Sequence, residues 1–412
     1  MVSMNAQGAS PKSLRQHRPF ALYWGSRVCS TVALQMQAVA VGWLIYDITR
    51  NPLDLGLVGL VQFIPAVLFV LFAGHAADRY DRRIIIRVCQ SVSGLAMAAL
   101  AIGSAFGWLS RDTLLAIVFF TGAARAFEQT ALATLLPGIV PVSLLSRATA
   151  ASASAFQIAV IGGPAVGGLL TAISPVLVFA LCCLLYIISS TVISMVTVER
   201  NASLRKPVSF AVLFAGFRYI WHNRLILGAI SIDLFAVVVG SVYALLPVFA
   251  RDVFHVDSSG LGILRASPGV GALVAAVLLA HRPPKQHVGR MIFAAVGAYA
   301  IAVIIFAMST SFFLSMGLLA ILGFSDMVSV VIRTTLIQLQ TTDEVRGRVG
   351  AVNSLFVIAS NQLGDFRAGL AASWIGTVPA VLVGGVGALM VVAVSRMMFS
   401  SMYRIEALET RR

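Results

Sequence analysis

Residues 74–83 read Gly74-His75-Ala76-Ala77-Asp78-Arg79-Tyr80-Asp81-Arg82-Arg83. This charged stretch joins two apolar runs, 55–76 and 84–107. Each run has the length of a membrane helix, which needs about 20 mostly apolar residues. A short basic turn between two such runs reads as a hairpin that crosses a bilayer and returns. The rest of the chain repeats that unit. Further apolar runs occupy 20–46, 113–136, 148–172, 176–198, 225–249, 259–280, 290–309, 312–336, 350–374 and 378–399. The pattern predicts an all-α integral membrane protein with twelve transmembrane helices.

Composition supports this class. The 412 residues are 59% hydrophobic and 11% charged, with a mean hydropathy of +0.92. A soluble domain carries about 25% charged residues, so this chain cannot cover a water-facing surface. It is also too apolar to be disordered. Lysines and arginines outside the runs concentrate on alternate turns. With the N-terminus in the cytoplasm, the outer loops hold only Arg50, Arg111 and Arg251. That bias predicts both termini cytoplasmic and an even number of spans. The net charge of +14 then points to loops near anionic lipid headgroups, not to nucleic acid.

The stretch 199–224 lies midway and carries Arg200, Arg205, Lys206, Arg218 and Arg224. It divides the chain into a tail at 1–19, a six-helix bundle at 20–198, the linker, a second six-helix bundle at 225–399 and a tail at 400–412. Within the linker, Val208 to His222 has apolar residues at helical spacing, which predicts an interfacial helix. The start of the chain reads as uncleaved, because Met1 to Phe20 is polar and the next run is too long for a signal core. Cys29, Cys89, Cys182 and Cys183 lie inside apolar runs without metal spacing and read as packing residues. No cofactor and no metal site are expected.

The stretch Gly74 to Arg83 resembles the loop motif G-x-x-x-D-R-x-x-R-R of the major facilitator superfamily. The resemblance implies a latch made by Gly74, Asp78, Arg79, Arg82 and Arg83. In it, glycine permits close helix approach, and Asp78 caps a neighbouring helix and pairs with an arginine until the halves rock apart. A plain charged cytoplasmic loop is the alternative reading. The equivalent turn of the second half, His281 to Arg290, lacks the Asp-Arg pair, which makes the latch one-sided. In the fifth run, Gly163, Pro164, Gly167 and Gly168 are similar to the G-P-x-x-G-G end of a motif found in proton-driven exporters of the superfamily. The two earlier glycines of that motif fall on Ala150 and Ala159, and ordinary small-residue helix packing explains the same stretch. Leu136-Pro137 with Val140-Pro141, and Thr342 to Val349, resemble segments of siderophore and drug exporters. Together with Arg27 and Gly364-Asp365 they are similar to the enterobactin-exporter-like branch, which also resembles macrolide efflux proteins. This likeness runs along nearly the whole chain and implies export, but it does not carry the solute over.

Several charges fall inside the runs: Arg27, Arg125, Arg265, Arg333, Arg367, Glu128, Asp233, Asp326 and Asp365. Each costs about 2.5–3.5 kcal/mol near a bilayer centre, so they persist where they face a cavity or one another. Glu128, Asp233, Asp326 and Asp365 are the proton-coupling candidates. Arg125 and Glu128 are spaced to pair on one helix face. Asp326 and Arg333 share nearly one face, and Asp233 reads as isolated. Arg265, Arg333 and Arg367 read equally well as static ion pairs or span-end residues. Arg27, Gln35, Arg125, Phe127, Tyr243 and Asn361 are the cavity candidates, which suit an amphipathic, aromatic or anionic solute.

These readings point to a secondary active transporter in a bacterial-type inner membrane. It would export a siderophore or drug-like solute by alternating access, with proton antiport, and act as a monomer whose partners are solute, protons and lipids. An importer or facilitator of the same fold is the alternative, and a non-transporting sensor or scaffold is a weaker one. An enzyme is not expected, since no nucleophile–base pair or metal cluster is visible. No Walker A pattern occurs, so direct ATP use is not supported.

Overall fold

The computed structural model describes residues 14, 17–197, 210–282 and 286–404. The tail 1–13, the linker segment 198–209 and residues 405–412 lie outside the described residues. The chain is a series of helices. The first half holds α1 (Arg18–Thr49), α2 (Pro52–Arg79), α3 (Arg82–Phe106), α4 (Arg111–Ile139), α5 (Val142–Ile173) and α6 (Pro175–Ser194). A shorter helix, α7 (Phe210–His222), precedes α8 (Arg224–Gly240) and the short α9 (Leu246–Val248). The second half continues with α10 (Ser258–His281), α11 (Val288–Met308), α12 (Phe312–Gln340), α13 (Asp343–Ile375), α14 (Thr377–Met398) and α15 (Ser400–Tyr403). Long helices are what a chain in hydrocarbon must form, because every backbone donor and acceptor needs a partner within the segment.

Helix ends follow local chemistry. Asn51, Ser174 and Asn223 each cap a helix by accepting backbone N–H groups. Ser110 and Thr113 form a reciprocal capping box on α4, and Gly107 closes α3 in the left-handed conformation. Among the described residues, ten segments are long and apolar enough to cross a membrane. The long helices missing from that set are α4 and α13. They are the ones with Arg125, Glu128 and Gln129, and with Asn361, Gln362, Asp365 and Arg367.

Successive long helices run antiparallel, so their turns alternate between two ends. The near end is where α1 begins and α14 finishes; the far end is the other. The halves meet through α2 on α13 and α5 on α10. Burial shows where they are joined. One continuous apolar core draws Met36, Ile45 and Phe179 from the first half and Leu246, Phe249 and Phe306 from the second. These residues lie toward the far end. Toward the near end the cores separate: Tyr23, Ile86 and Leu135 belong to the first half alone, and Ile232, Ile292 and Ile332 to the second alone.

Where the sequence reads one unbroken run over 225–249, the structure has a break. The α-helix α8 stops at Gly240, and a 3-10 turn (Tyr243–Leu245), α9 and a π-turn (Phe249–Val253) follow. Carbonyls freed by the break find partners. Arg367 Nε donates to Val238 O at 2.9 Å, and the Tyr299 hydroxyl donates to Gly240 O at 3.3 Å. Irregular backbone at this depth is tolerated only when buried in protein and satisfied in this way. Arg367 is therefore a cap on a broken helix, not a residue at a span end.

Candidate functional site

A cavity of about 260 Å³ lies within the first half. Arg27, Gln37, Arg125, Glu128, Phe156 and Tyr186 are among its walls. Arg27 and Gln37 come from α1, Arg125 and Glu128 from α4. Arg27 Nη1 donates to the Tyr23 hydroxyl at 3.1 Å. Glu128 is 8% exposed and accepts a hydrogen bond from Gln90 Nε2 at 2.8 Å. Gln90 also donates to Ser26 Oγ, which pairs with Ser189 Oγ at 2.8 Å. Arg125 and Glu128 line the same cavity but form no ion pair within 4 Å, against the pairing expected from their spacing. The cavity thus holds two guanidinium groups and one carboxylate in a low-dielectric setting, a net positive site.

A second cavity of about 120 Å³ is shared by both halves. Gln37 and Thr121 line it as well as the first, so the two spaces adjoin. From the second half come Arg265, Gln362 and Asp365. Arg265 reaches across to donate from Nη1 to Ala38 O at 3.1 Å, which sets it between the halves and not at a span end. Asp365 accepts from Ser241 Oγ at 2.7 Å.

Asp233, read from the sequence as isolated, is 6% exposed and ion-paired with Arg333, itself 2% exposed. Ser329 Oγ donates to the other carboxylate oxygen at 2.8 Å. The pairing partner of Arg333 is therefore on α8, not at Asp326 on its own helix. Helical spacing could reveal a same-face neighbour but not a partner across the bundle.

Four cavity candidates sit elsewhere. Gln35 packs on the fifth helix, its Cβ 2.6 Å from where a Cβ on Gly163 would lie; the neighbour two residues on, Gln37, takes the cavity position. Phe127 turns to Phe69 on α2, ring centroids 5.8 Å apart. Asn361 is exposed and donates to its own helix at Val357 O, 2.9 Å, while Gln362 faces the shared cavity. Tyr243 lies in the turn after α8 and packs against the far-end core. A helix that is apolar on most faces leaves its inward face ambiguous by one or two residues, which explains these misses.

The glycines of α5 divide between two neighbours. A Cβ on Gly167 would meet Met36 Cα at 2.7 Å, and one on Gly168 would meet Gly262 Cα at 2.7 Å. The first contact holds α5 on α1 and the second holds the two halves together. Gly262 also approaches the carbonyl oxygen of Pro164, at 2.5 Å from a built Cβ. A matching contact joins Gly56 on α2 to Gly369 on α13, where a Cβ on Gly369 would lie 2.8 Å from Gly56 Cα. Gly56, Gly262 and Gly369 carry no signal in the sequence, because each stands outside a recognisable motif.

The far end is tied by polar groups too. Asp47 on α1 pairs with Arg251, and the Tyr46 hydroxyl donates to Asp252. The Arg251 guanidinium sits 5.4 Å from the Trp43 ring centroid. At the near end the loop arginines stay within the first half. Arg82 Nη1 donates to Thr134 O at 3.0 Å, and Arg83 to Val196 O at 2.7 Å and to Asp81. Gly74 is buried and Arg79 exposed; the Asp78 side chain lies outside the described residues. Among the described residues, Arg82 and Arg83 thus staple helix ends of the first half.

Comparison with known proteins agrees with this architecture. Residues 9–411 match the transmembrane secretion effector family. The chain is 27% identical over 393 residues to the enterobactin exporter EntS of Shigella dysenteriae serotype 1, covering 92% of this chain and 87% of that one. The EntS protein of Citrobacter koseri is similar at the same identity and coverage. Among solved structures, an inward-facing, unoccupied bacterial homologue of the human lysosomal transporter Spinster has a TM-score of 0.75 at 14% identity, covering 95% of this chain and 99% of that one. An inward-facing bacterial homologue of the iron transporter ferroportin has a TM-score of 0.69 at 17% identity, covering 96% and 100%. The far-end core shared by two helical halves and the polar cavities beneath it are thus those of a multi-pass membrane transporter, and the chain belongs to the transmembrane secretion effector family of the major facilitator superfamily.

Proposed function

We propose that this protein is a secondary exporter of a small, amphipathic, anionic solute, of the kind represented by a catecholate siderophore, and that it works by alternating access. The observation that carries this reading is the first-half cavity, where Arg27 and Arg125 face a single carboxylate, Glu128. Guanidinium groups in a water-poor site favour planar anions, which they hold through paired, charge-assisted hydrogen bonds. Tyr186 and Phe156 in the same wall supply aromatic surface for a ring. The relatives' names as enterobactin exporters agree with both solute class and direction.

The twelve-span topology with both termini in the cytoplasm rests on the distribution of lysine and arginine. In that orientation the near end faces the cytoplasm of a bacterial-type cell, and the far-end core shuts the path to the outside. Solute then enters from the cytoplasm, the halves rock about α2–α13 and α5–α10, and the far-end ties open to release it. Proton antiport supplies the driving force, through protonation of an intramembrane carboxylate as solute leaves. The protein acts as a monomer.

Export is tested in cells that make enterobactin but lack an exporter for it. Expression of this chain is expected to raise enterobactin in the medium and lower it in the cells, and Arg27→Gln with Arg125→Gln to abolish the difference. Equal enterobactin in the medium with and without the chain overturns this choice of solute. Uptake down a concentration gradient that ignores an imposed pH gradient would instead identify a facilitator.

A further inference from the structure

The second half holds a small pocket lined by residues of its own half. Asp233, Tyr299, Ser325, Asp326 and Ser329 are among its walls, and its volume is about 10 Å³. That is room for about one water molecule and excludes any organic solute. The charges there are the reverse of those in the solute cavity: two carboxylates, Asp233 and Asp326, line the pocket, and one guanidinium, Arg333, is bound to Asp233.

The partners of the intramembrane acids differ. Glu128 accepts from Gln90 and shares its cavity with Arg27 and Arg125. Asp365 accepts from Ser241 and faces Arg265 across the shared cavity. Asp233 holds Arg333 and Ser329. Among the described residues, Asp326 alone of the four accepts neither a hydrogen bond nor an ion pair. The ionisable groups around it are Asp233 from α8, Tyr299 from α11, Tyr243 from the broken segment and Arg333 from its own helix; among the described residues α10 adds no ionisable side chain to the pocket wall. With both aspartates ionised, one buried negative charge would lack a counterion, at a cost of several kcal/mol. One proton removes it.

We infer that Asp326 carries the coupling proton, in a pocket of the second half separate from the solute cavity, with Arg333 as the group it competes for when the proton leaves. This inference rests on the antiport reading. In the release step the Asp326 O–H bond breaks, its electron pair stays on the carboxylate, and the proton passes to a water molecule in the pocket. Arg333 holds Asp233 through Nη1, while its buried Nε has no hydrogen-bond partner among the described residues. The new carboxylate draws on that guanidinium and loosens its hold on Asp233. Asp233 belongs to α8, whose chain continues through the break at Gly240 to Arg251 and Asp252, the second-half side of the far-end ties. Proton release is thereby connected to the gate along one continuous segment.

The test uses the full chain reconstituted in liposomes. Infrared difference spectra between acidic and alkaline buffer are expected to contain a protonated-carboxyl band that titrates. The band should be lost in Asp326→Asn, shifted in Asp326→Glu and retained in Glu128→Gln. A band that persists in Asp326→Asn, or that vanishes in Glu128→Gln, overturns the assignment. In a parallel assay with enterobactin as probe, Asp326→Asn should reduce pH-gradient-driven flux at least tenfold yet retain gradient-independent exchange. Loss of both activities in a variant whose melting temperature matches the unsubstituted protein also overturns it. If the unsubstituted protein shows no pH-driven flux, the antiport reading fails, and the infrared arm still decides whether Asp326 holds a proton.

Discussion

Gly168 of α5 and Gly262 of α10 touch backbone to backbone across the two halves. A Cβ on Gly168 would lie 2.7 Å from Gly262 Cα, and one on Gly262 would lie 3.0 Å from Gly168 Cα. Real Cβ atoms do not approach so closely, so a side chain at either position must push α5 and α10 apart. Gly168→Leu is therefore expected to disfavour far-end closure. Spin labels at Asn51 and Val256 should report a wider far-end distance, and export should fall at least tenfold. Gly167→Leu, which meets Met36 within the first half, should lower thermal stability instead. An unchanged far-end distance in Gly168→Leu would show that this contact does not hold the halves together.

The Asp47–Arg251 pair spans the same closure. Both side chains are partly exposed, 45% and 26%, so the bond is worth no more than about 1 kcal/mol. Arg251→Glu alone is expected to shift the far-end equilibrium toward the open form by at most about fivefold. The double exchange Asp47→Arg with Arg251→Glu should return most of that shift. Single-molecule distance measurements across the far end separate the two outcomes. A double exchange no better than the single one would assign the effect to the cation–π contact with Trp43, 5.4 Å away.

The sequence made the helical membrane fold legible because two signals repeat along the whole chain: apolar length, and basic residues on alternate turns. It also marked which spans carry charge. It did not show how those charges pair, since the decisive partners lie on other helices. Asp233 and Arg333 are a hundred residues apart, and Arg265 binds a backbone carbonyl of α1. The break after Gly240 was hidden for a related reason. The segment that follows remains apolar, and its freed carbonyls are satisfied by Tyr299 and Arg367 from distant helices. The glycine contacts between halves were half legible: Gly168 sits in a recognisable motif, whereas Gly262, Gly56 and Gly369 gain meaning only from their opposite partners.

Among the described residues, Arg125 has no carboxylate within ion-pair reach, while Glu128 is held by Gln90. Its guanidinium is thus free to engage an anionic solute. A hydrogen bond to a charged group is worth about 1.5–3 kcal/mol, so Arg125→Gln should weaken binding of a catecholate anion by roughly tenfold to a hundredfold. Arg125→Lys should recover part of the loss, because charge remains while the planar fork does not. Binding of an uncharged aromatic of similar size should change little. Calorimetry on purified protein distinguishes these cases, and equal losses for charged and uncharged ligands would assign Arg125 a structural role.

The buried Asp233–Arg333 pair makes a prediction about stability independent of transport. Removing one partner of a buried ion pair leaves an uncompensated charge and costs about 3–5 kcal/mol. If Asp326 can replace Asp233 as the counterion of Arg333, as the proton-release step requires, Asp233→Ala should fall at the lower end of that range. The double variant Asp233→Ala with Asp326→Ala leaves Arg333 without a carboxylate in the pocket and should lie at the upper end or beyond. Adding Arg333→Met to the double variant should recover stability, since an apolar side chain of similar length then fills the space without a charge. Melting curves of the three purified variants in one detergent read the order directly. Equal melting points for the single and double aspartate variants would mean that Asp326 cannot reach Arg333, which would also remove the competition on which the proton-release step depends.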